Sequence, residues 1–217
     1  MKKRFALIIL IIIVLYGCAT GSDDVQRANM DDVHSLYIEQ GSHDLIIESV
    51  ERPDVEAIYG RGVTLEKSEG KVTIGVQKSL LTFGPKLNLG DSFKVTIPND
   101  YNGKVVIEGN SGDISSEHVS IADLEIMTKS GDVQLTFSEF RSNVHIVSGS
   151  GNVEIVIQEE EPNVTLSTKT RSGNSSIFLP VSLNENEDGK EVSGVSGQGE
   201  YQLMIDTKSG DIRVRNY

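Results

Sequence analysis

Five short turns carry an aspartate or asparagine directly after a glycine, and these are the side chains whose type and spacing could do chemistry. The turn residues are Gly112 and Asp113, Gly131 and Asp132, Gly151 and Asn152, Gly173 and Asn174, and Gly210 and Asp211. Oxygens at a regular interval could bind Ca²⁺. They could also close tight turns by accepting hydrogen bonds from backbone N–H groups, with glycine supplying a positive φ. Calcium-binding β-rolls have a much shorter repeat than the interval of about twenty residues found here. Together with the change from Asp to Asn, this favours turn capping, with no metal and no cofactor.

Other catalytic constellations are not evident from the sequence. The four histidines, His34, His43, His118 and His145, are scattered without metal-ligand spacing, and the single cysteine cannot join them. Serines are common in the turns, but none lies in a nucleophile-elbow motif. We therefore expect no catalytic residues and a protein that is not an enzyme.

The single cysteine lies at the end of a targeting segment. Lys2, Lys3 and Arg4 precede an unbroken apolar stretch from Phe5 to Tyr16, which is too short for a transmembrane helix and typical of a signal peptide. The residues Leu15-Tyr16-Gly17-Cys18 that follow resemble the bacterial lipobox. This resemblance implies a lipoprotein signal peptide over residues 1–17 and a diacylglycerol thioether on Cys18, which would hold the mature chain on the extracytoplasmic face of a cell membrane.

Two alternatives remain open for this segment. It could stay uncleaved as an anchor, with Cys18 incidental, or an ordinary secretory cleavage could occur close to Cys18. The polar residues that follow, as far as Asp32, predict a flexible tether over residues 18–32.

A repeat of about twenty residues fills the rest of the chain. Each unit reads as an alternating strand, a Ser-Gly-Asp or related turn, and a second alternating strand. Period-two alternation puts Leu124, Ile126, Val133 and Leu135 on one face, with polar residues between them. A strand pair with one apolar face cannot bury it alone, but stacked coils bury a continuous core. The sequence therefore predicts an all-β, single-chain parallel β-solenoid over residues 33–217.

Two segments depart from the repeat. Val181–Glu200 is polar and glycine-rich and predicts a surface loop. Lys78–Asp91 exposes Leu80, Leu81 and Phe83 and reads as a flap packed on the solenoid or as a partner-binding hairpin. The last strand of the repeat, Ile212–Tyr217, carries two arginines. They could discourage stacking at an unpaired terminal edge, or they could be ordinary solvent-facing residues.

The turns KSGDV at Lys129 and KSGDI at Lys208 resemble an adhesin-like family of bacterial envelope domains of unknown function. The resemblance covers Val33 to Tyr217. It implies a right-handed parallel β-solenoid, β-helix-like in its coiling, and some relatives occur beside envelope-stress genes. The family brings no agreed catalytic residues.

Charge narrows the choice of partner. The formal net charge is −12, and the chain becomes more acidic still once residues 1–17 are removed. Nucleic acid is therefore excluded, and attachment to a membrane must come from the lipid. We expect a binding or adhesion-like envelope module whose partner is an envelope protein or a polysaccharide. The alternatives are an accessory or sensor subunit of an envelope-stress system and a carbohydrate-active solenoid enzyme.

Overall fold

The computed structural model describes residues 23–60, 62–77, 93–186 and 188–217. The signal segment, Cys18 and the flap Lys78–Asp91 lie outside the described residues. In chain order the strands are β1 (Asp24–Asn29), β2 (Ser35–Gly41), β3 (Leu45–Val50), β4 (Asp54–Tyr59), β5 (Val63–Ser68), β6 (Lys71–Val76), β7 (Phe93–Pro98), β8 (Lys104–Gly109), β9 (Ile114–Ser116), β10 (Asp123–Thr128), β11 (Val133–Phe137), β12 (Asn143–Ser148), β13 (Val153–Ile157), β14 (Val164–Ser172), β15 (Ser175–Phe178), β16 (Ser182–Glu185), β17 (Glu191–Ser196), β18 (Tyr201–Ser209) and β19 (Ile212–Asn216). The prediction of an all-β protein is confirmed. Nothing in the described ranges is a helix long and apolar enough to cross a membrane.

The strands form two mixed sheets. One is nine-stranded in the order β1-β4-β7-β3-β9-β11-β13-β19-β15, and the other is ten-stranded in the order β16-β17-β14-β18-β12-β10-β8-β2-β6-β5. In the middle of both sheets the pairing is parallel, with Leu124 opposite Val144 in one and Val133 opposite Val153 in the other. Each coil therefore contributes one strand to each sheet, as the repeat predicts.

The core lies between the two sheets and follows from the alternation in the sequence. Leu124 and Ile126 point inward from β10, Val133 and Leu135 point inward from β11, and all four are buried. Burying side chains of this size stabilises the fold by about 1.5–3 kcal/mol each. At the corner after β11, Phe140 packs edge-on against Phe137 with ring centroids 5.0 Å apart, which closes the core there.

The spatial order of the coils differs from their order in the chain. The final coil, β18–β19, lies between β12–β13 and β14–β15. It takes this place because β17 pairs with the other side of β14, so β14 has only one side left for β18. The expectation that the last strand forms an unpaired terminal edge is therefore wrong, since β19 is internal.

Antiparallel strands cover most ends of the sheets, so the stack is not parallel throughout. β5 pairs with β6, β4 with β7, and β1 with β4 at one end. At the other end β17 pairs with β14 and β16 with β17. Two predictions are corrected here: residues 24–29 of the predicted tether form β1, and the predicted loop Val181–Glu200 contains β16 and β17. Both segments find hydrogen-bond partners at sheet ends that would otherwise be open.

Candidate functional site

The turn aspartates stack along one edge of the molecule and bind the backbone of the neighbouring coil. Asp44 Oδ1 accepts the backbone N–H of Asp113 at 2.9 Å, Asp113 Oδ1 accepts that of Asp132 at 2.8 Å, and Asp132 Oδ1 accepts that of Asn152 at 2.7 Å. Each side chain therefore satisfies a donor one coil away, whereas turn capping within a coil would satisfy a donor in its own turn.

The same column continues into the coils that are out of chain order. Asn152 Oδ1 accepts the backbone N–H of Asp211 at 3.0 Å, and Asp211 Oδ1 accepts that of Asn174 at 2.9 Å. We call the six residues Asp44, Asp113, Asp132, Asn152, Asp211 and Asn174 the turn ladder. The turn that contains Asp44 lacks the Ser-Gly pair, so the repeat pattern does not identify it. Asp44 could have been recognised from its position directly before the buried Leu45, because Asp113 likewise comes directly before the buried Ile114.

The glycines of these turns form a second column beside the ladder. Gly112, Gly131 and Gly151 have φ values of 104°, 103° and 115°, a region that side chains rarely adopt. A Cβ on Gly131 would lie 2.1 Å from the carbonyl oxygen of Gly112, and one on Gly210 would lie 2.1 Å from that of Gly151. Glycine is therefore required both by the backbone conformation and by the close approach of adjacent coils.

The ladder does not have the arrangement of a cation site. Its Oδ1 atoms point at N–H donors, which a bound cation would have to displace. Within the described ranges, no group of three or more His, Cys, Asp or Glu side chains is placed to hold a metal ion. The repeated polar residues thus serve to join the coils.

A groove of about 660 Å³ lies where the loops after β7, β9 and β11 come together beside Ser49 of β3. The loops after β7, β9 and β11 lead from the nine-stranded sheet back to the ten-stranded sheet, away from the Ser-Gly turns. The groove is lined by Ser49, Asn99, Asp100, Tyr101, Asn102, His118, Val119, Ser120, Ile121, Ala122, Ser138, Glu139, Arg141 and Ser142. Its polar groups are mainly hydroxyls and side-chain amides. We call it the loop groove.

Hydrogen bonds between coils hold the groove wall in place. The backbone N–H of Ser120 donates to Ser49 Oγ at 2.9 Å, and the Ser120 hydroxyl donates to the carbonyl oxygen of Asn99 at 3.4 Å. Tyr101 is buried beneath the groove, and its hydroxyl donates to the carbonyl oxygen of Lys104 at 3.3 Å. Burial raises the pKa of Tyr101 to about 12, so the phenol stays neutral and available as a donor.

The arginine at the groove is already paired with carboxylates. Arg141 lies 3.2 Å from Glu159 and 3.7 Å from Glu139. The hydrogen bond to Glu159 raises the pKa of Arg141. A ligand would therefore meet a guanidinium whose charge is largely neutralised.

The sequence model of one protein family, described as Toastrack DUF4097, matches residues 28–215. The chain belongs to the Toastrack DUF4097 family. The match begins inside β1 and ends in β19, so this Toastrack domain includes all the coils. A comparison with curated protein sequences finds no match.

One solved structure superposes well on this chain. A candidate cell adhesion protein from Clostridium sporogenes superposes with a TM-score of 0.65 at 13% identity, over 90% of this chain and 99% of that one. A candidate adhesin from Bacteroides fragilis, at 11% identity over 90% of this chain and 98% of that one, reaches a TM-score of 0.36. The Clostridium structure is the one that supports a shared Toastrack fold.

The groove of this Toastrack domain contains polar groups that could bind a ligand. It also contains a serine–histidine pair, but not the third residue of a hydrolytic triad among the described residues. His118 Nδ1 lies 3.2 Å from Ser138 Oγ, a nucleophile–base distance. Across the described ranges, however, no carboxylate contacts His118 to orient the ring, and both residues are exposed. His34, His43 and His145 lie elsewhere, so the structure brings only one predicted histidine to the groove.

Proposed function

We propose that this chain is a membrane-anchored, extracytoplasmic binding module of the cell envelope, and that it is not an enzyme. It would be held by lipid on Cys18 and would display a right-handed β-solenoid to its partner. The turn ladder is the observation that carries the proposal. Five of the six ladder side chains, the repeated groups that could have done chemistry, accept hydrogen bonds that join one coil to the next.

A rigid scaffold of this kind favours recognition. Parallel coils locked by side-chain and main-chain hydrogen bonds present loops at fixed spacing, so a ligand can bind without ordering them first. The fold shared with the candidate cell adhesion protein of Clostridium sporogenes agrees with this role.

The loop groove is the binding surface that we propose. Hydroxyl and amide groups from Ser49, Asn102, Ser120 and Ser138 line it, and such groups suit the hydroxyls of an uncharged envelope polysaccharide. The acidic net charge of −12 argues against phosphate-rich polymers.

Binding can be tested with insoluble cell-wall polysaccharide. The full-length chain should sediment with the polymer, and His118→Ala should reduce the bound fraction. His145→Ala is the matched control, because His145 lies on the outer face of β12, away from the groove. Equal binding by the two variants would exclude the groove, and reproducible cleavage of the polymer would exclude a non-enzymatic role.

Anchoring can be tested separately. Cys18→Ser should leave an unprocessed precursor or release the chain from the membrane fraction, whereas the wild type stays with the membrane until detergent is added. A Cys18→Ser chain that is processed and retained like the wild type would disprove lipid attachment at this residue.

A further inference from the structure

The nine-stranded sheet ends at β15 without a covering strand. At the same end the ten-stranded sheet continues beyond β14 with β17 and β16. In the described part of the chain, β15 pairs only with β19. The two sheets thus end at different levels, and β15 lies in the step between them.

Main-chain groups of β15 point into this step. The Ile212 N–H donates to the carbonyl oxygen of Asn174 at 2.8 Å. Because the side to which a strand residue bonds alternates along the strand, the N–H and C=O groups of Ser175 and Ile177 point away from β19. They make no hydrogen bond within the described ranges. The Ser175 hydroxyl is also buried without a hydrogen-bond partner there.

The β15 edge lacks the protection that the other outermost strands have. Charged side chains on an edge strand discourage pairing with another chain. β1 carries Asp24 and Arg27, β5 carries Glu66 and Lys67, and β16 carries Glu185. In contrast, β15 reads Ser-Ser-Ile-Phe and has no charge. Its Phe178 is 62% exposed, which makes the edge apolar as well as unpaired.

An arginine on the neighbouring strand β19 would favour a negatively charged ligand at the β15 edge. Arg213 is in register with Ser176 on the outer face of the sheet, and it is exposed. It forms no ion pair with any described residue. Arg215, the next outward residue of β19, is already bound by Glu154 at 3.0 Å. A segment added beside β15 would therefore find one free guanidinium on its outer face.

We infer that β15 accepts an extended segment of another protein as an added strand, and that this segment carries an acidic side chain on its outer face, opposite Ser176, towards which Arg213 can extend. The inference concerns a surface separate from the loop groove and does not depend on what the groove binds. A second copy of this chain fits less well. Joining two β15 edges about a two-fold axis would bring the two β16–β17 hairpins into the same space.

The probe is a blocked, fluorescent eight-residue peptide that alternates valine and glutamate, titrated against the full-length chain in detergent. We expect a rise in anisotropy and slower amide exchange in residues 174–179. A peptide with lysine in place of glutamate should bind about tenfold more weakly or worse, a difference of about 1.4 kcal/mol.

Two variants localise the binding. Ser175→Pro removes an outward N–H without breaking a hydrogen bond to β19, and proline is tolerated on edge strands. It should abolish binding, whereas the matched Ser175→Ala, which keeps the N–H, should bind as the wild type does. Arg213→Gln, on an exposed side chain, should remove the preference for the glutamate peptide even if Ser175→Pro folds poorly.

Three results would overturn the inference. The first is that the glutamate peptide does not bind at millimolar concentration. The second is that folded Ser175→Pro and Ser175→Ala chains bind the peptide equally well. The third is that the chain forms a concentration-dependent dimer, which Ser175→Pro dissociates. The last result would make a second copy the occupant of the edge.

Discussion

Asp132 Oδ1 accepts the backbone N–H of Asn152 at 2.7 Å, although the two residues belong to different coils. Asp132 in turn donates its own N–H to Asp113 Oδ1 at 2.8 Å. Each ladder residue inside the column therefore receives one hydrogen bond and gives one. This pattern joins coils at the turns, where the regular sheet pairing has ended.

Removing one ladder side chain should weaken the contact between two coils. We expect Asp132→Ala to lower the free energy of unfolding by about 0.5–1.5 kcal/mol, because the Asn152 N–H loses its partner. Asp132→Asn is the matched control. It keeps an Oδ1 acceptor and should change stability by less than about 0.5 kcal/mol. Urea denaturation measures both, and equal losses would show that the charge, rather than the acceptor, matters.

Adding a methyl group to a ladder glycine should cost more than backbone strain alone. Gly131→Ala would put a Cβ 2.1 Å from the Gly112 carbonyl oxygen at a φ of 103°, so we expect a loss of about 3 kcal/mol or more. Gly189→Ala is the control, because Gly189 also has a positive φ but has nothing within 4 Å of the added Cβ. It should lose only about 1 kcal/mol. Equal melting temperatures for the two variants would contradict the close approach of the coils.

The strands, turns and buried side chains of each coil could be predicted from the sequence, because the same alternation of apolar and polar residues recurs in each coil. Alternation fixes which side of a strand is buried, so Leu124, Ile126, Val133 and Leu135 could be assigned to the core. The Ser-Gly-Asp turns likewise marked where one strand ends and the next begins. The ladder bonds themselves were not predictable, because the sequence does not say that Asp132 reaches the next coil instead of its own turn.

The order in which the coils stack and the strands that cover the sheet ends could not be predicted, because several segments with similar sequences could pair with the same strand. β18 and β12 have similar alternating patterns, so the sequence could not indicate that β18 pairs with β12 on one side and β14 on the other. The polar residues of β1 and β16 resembled a tether and a loop because edge strands need few apolar side chains. The loop groove was missed because His118 and Tyr101 come from separate connections that meet only in the folded chain.

The Glu56 carboxylate should make stability depend on pH in the acidic range. Its side chain is nearly buried between Arg27 and Arg52, with Arg52 Nη2 at 3.1 Å. Burial alone would raise the pKa of Glu56, but the two arginine hydrogen bonds outweigh it and lower the pKa. A lowered folded-state pKa means that the stabilisation is present above the unfolded value of 4.5 and is lost as the pH falls through the folded value.

Glu56→Gln should remove that dependence. We expect a loss of about 1–3 kcal/mol at neutral pH, because two guanidinium groups lose a charged acceptor, and a smaller difference from the wild type as the pH falls below 4.5. Glu51→Gln is the control, since Glu51 is exposed and has no ion pair with the described residues. Chemical denaturation at several pH values distinguishes the two. A constant difference between Glu56→Gln and the wild type across this range would rule out the linkage.

Tyr101 should make the fold sensitive to alkali. Burial raises its pKa to about 12 from the ordinary value of 10.0, so above pH 10 the unfolded chain loses a proton that the folded chain keeps. Stability should therefore fall between pH 10 and 12, by at most about 1.4 kcal/mol per pH unit from this group. Tyr101→Phe cannot ionise, so its stability should fall less steeply over the same range, at the cost of the hydrogen bond to Lys104.

Denaturation curves of both proteins, with the ultraviolet absorbance of phenolate recorded during an alkaline titration, provide the measurement. Parallel pH profiles for the two chains would show that Tyr101 ionises as easily in the folded protein as in the unfolded one.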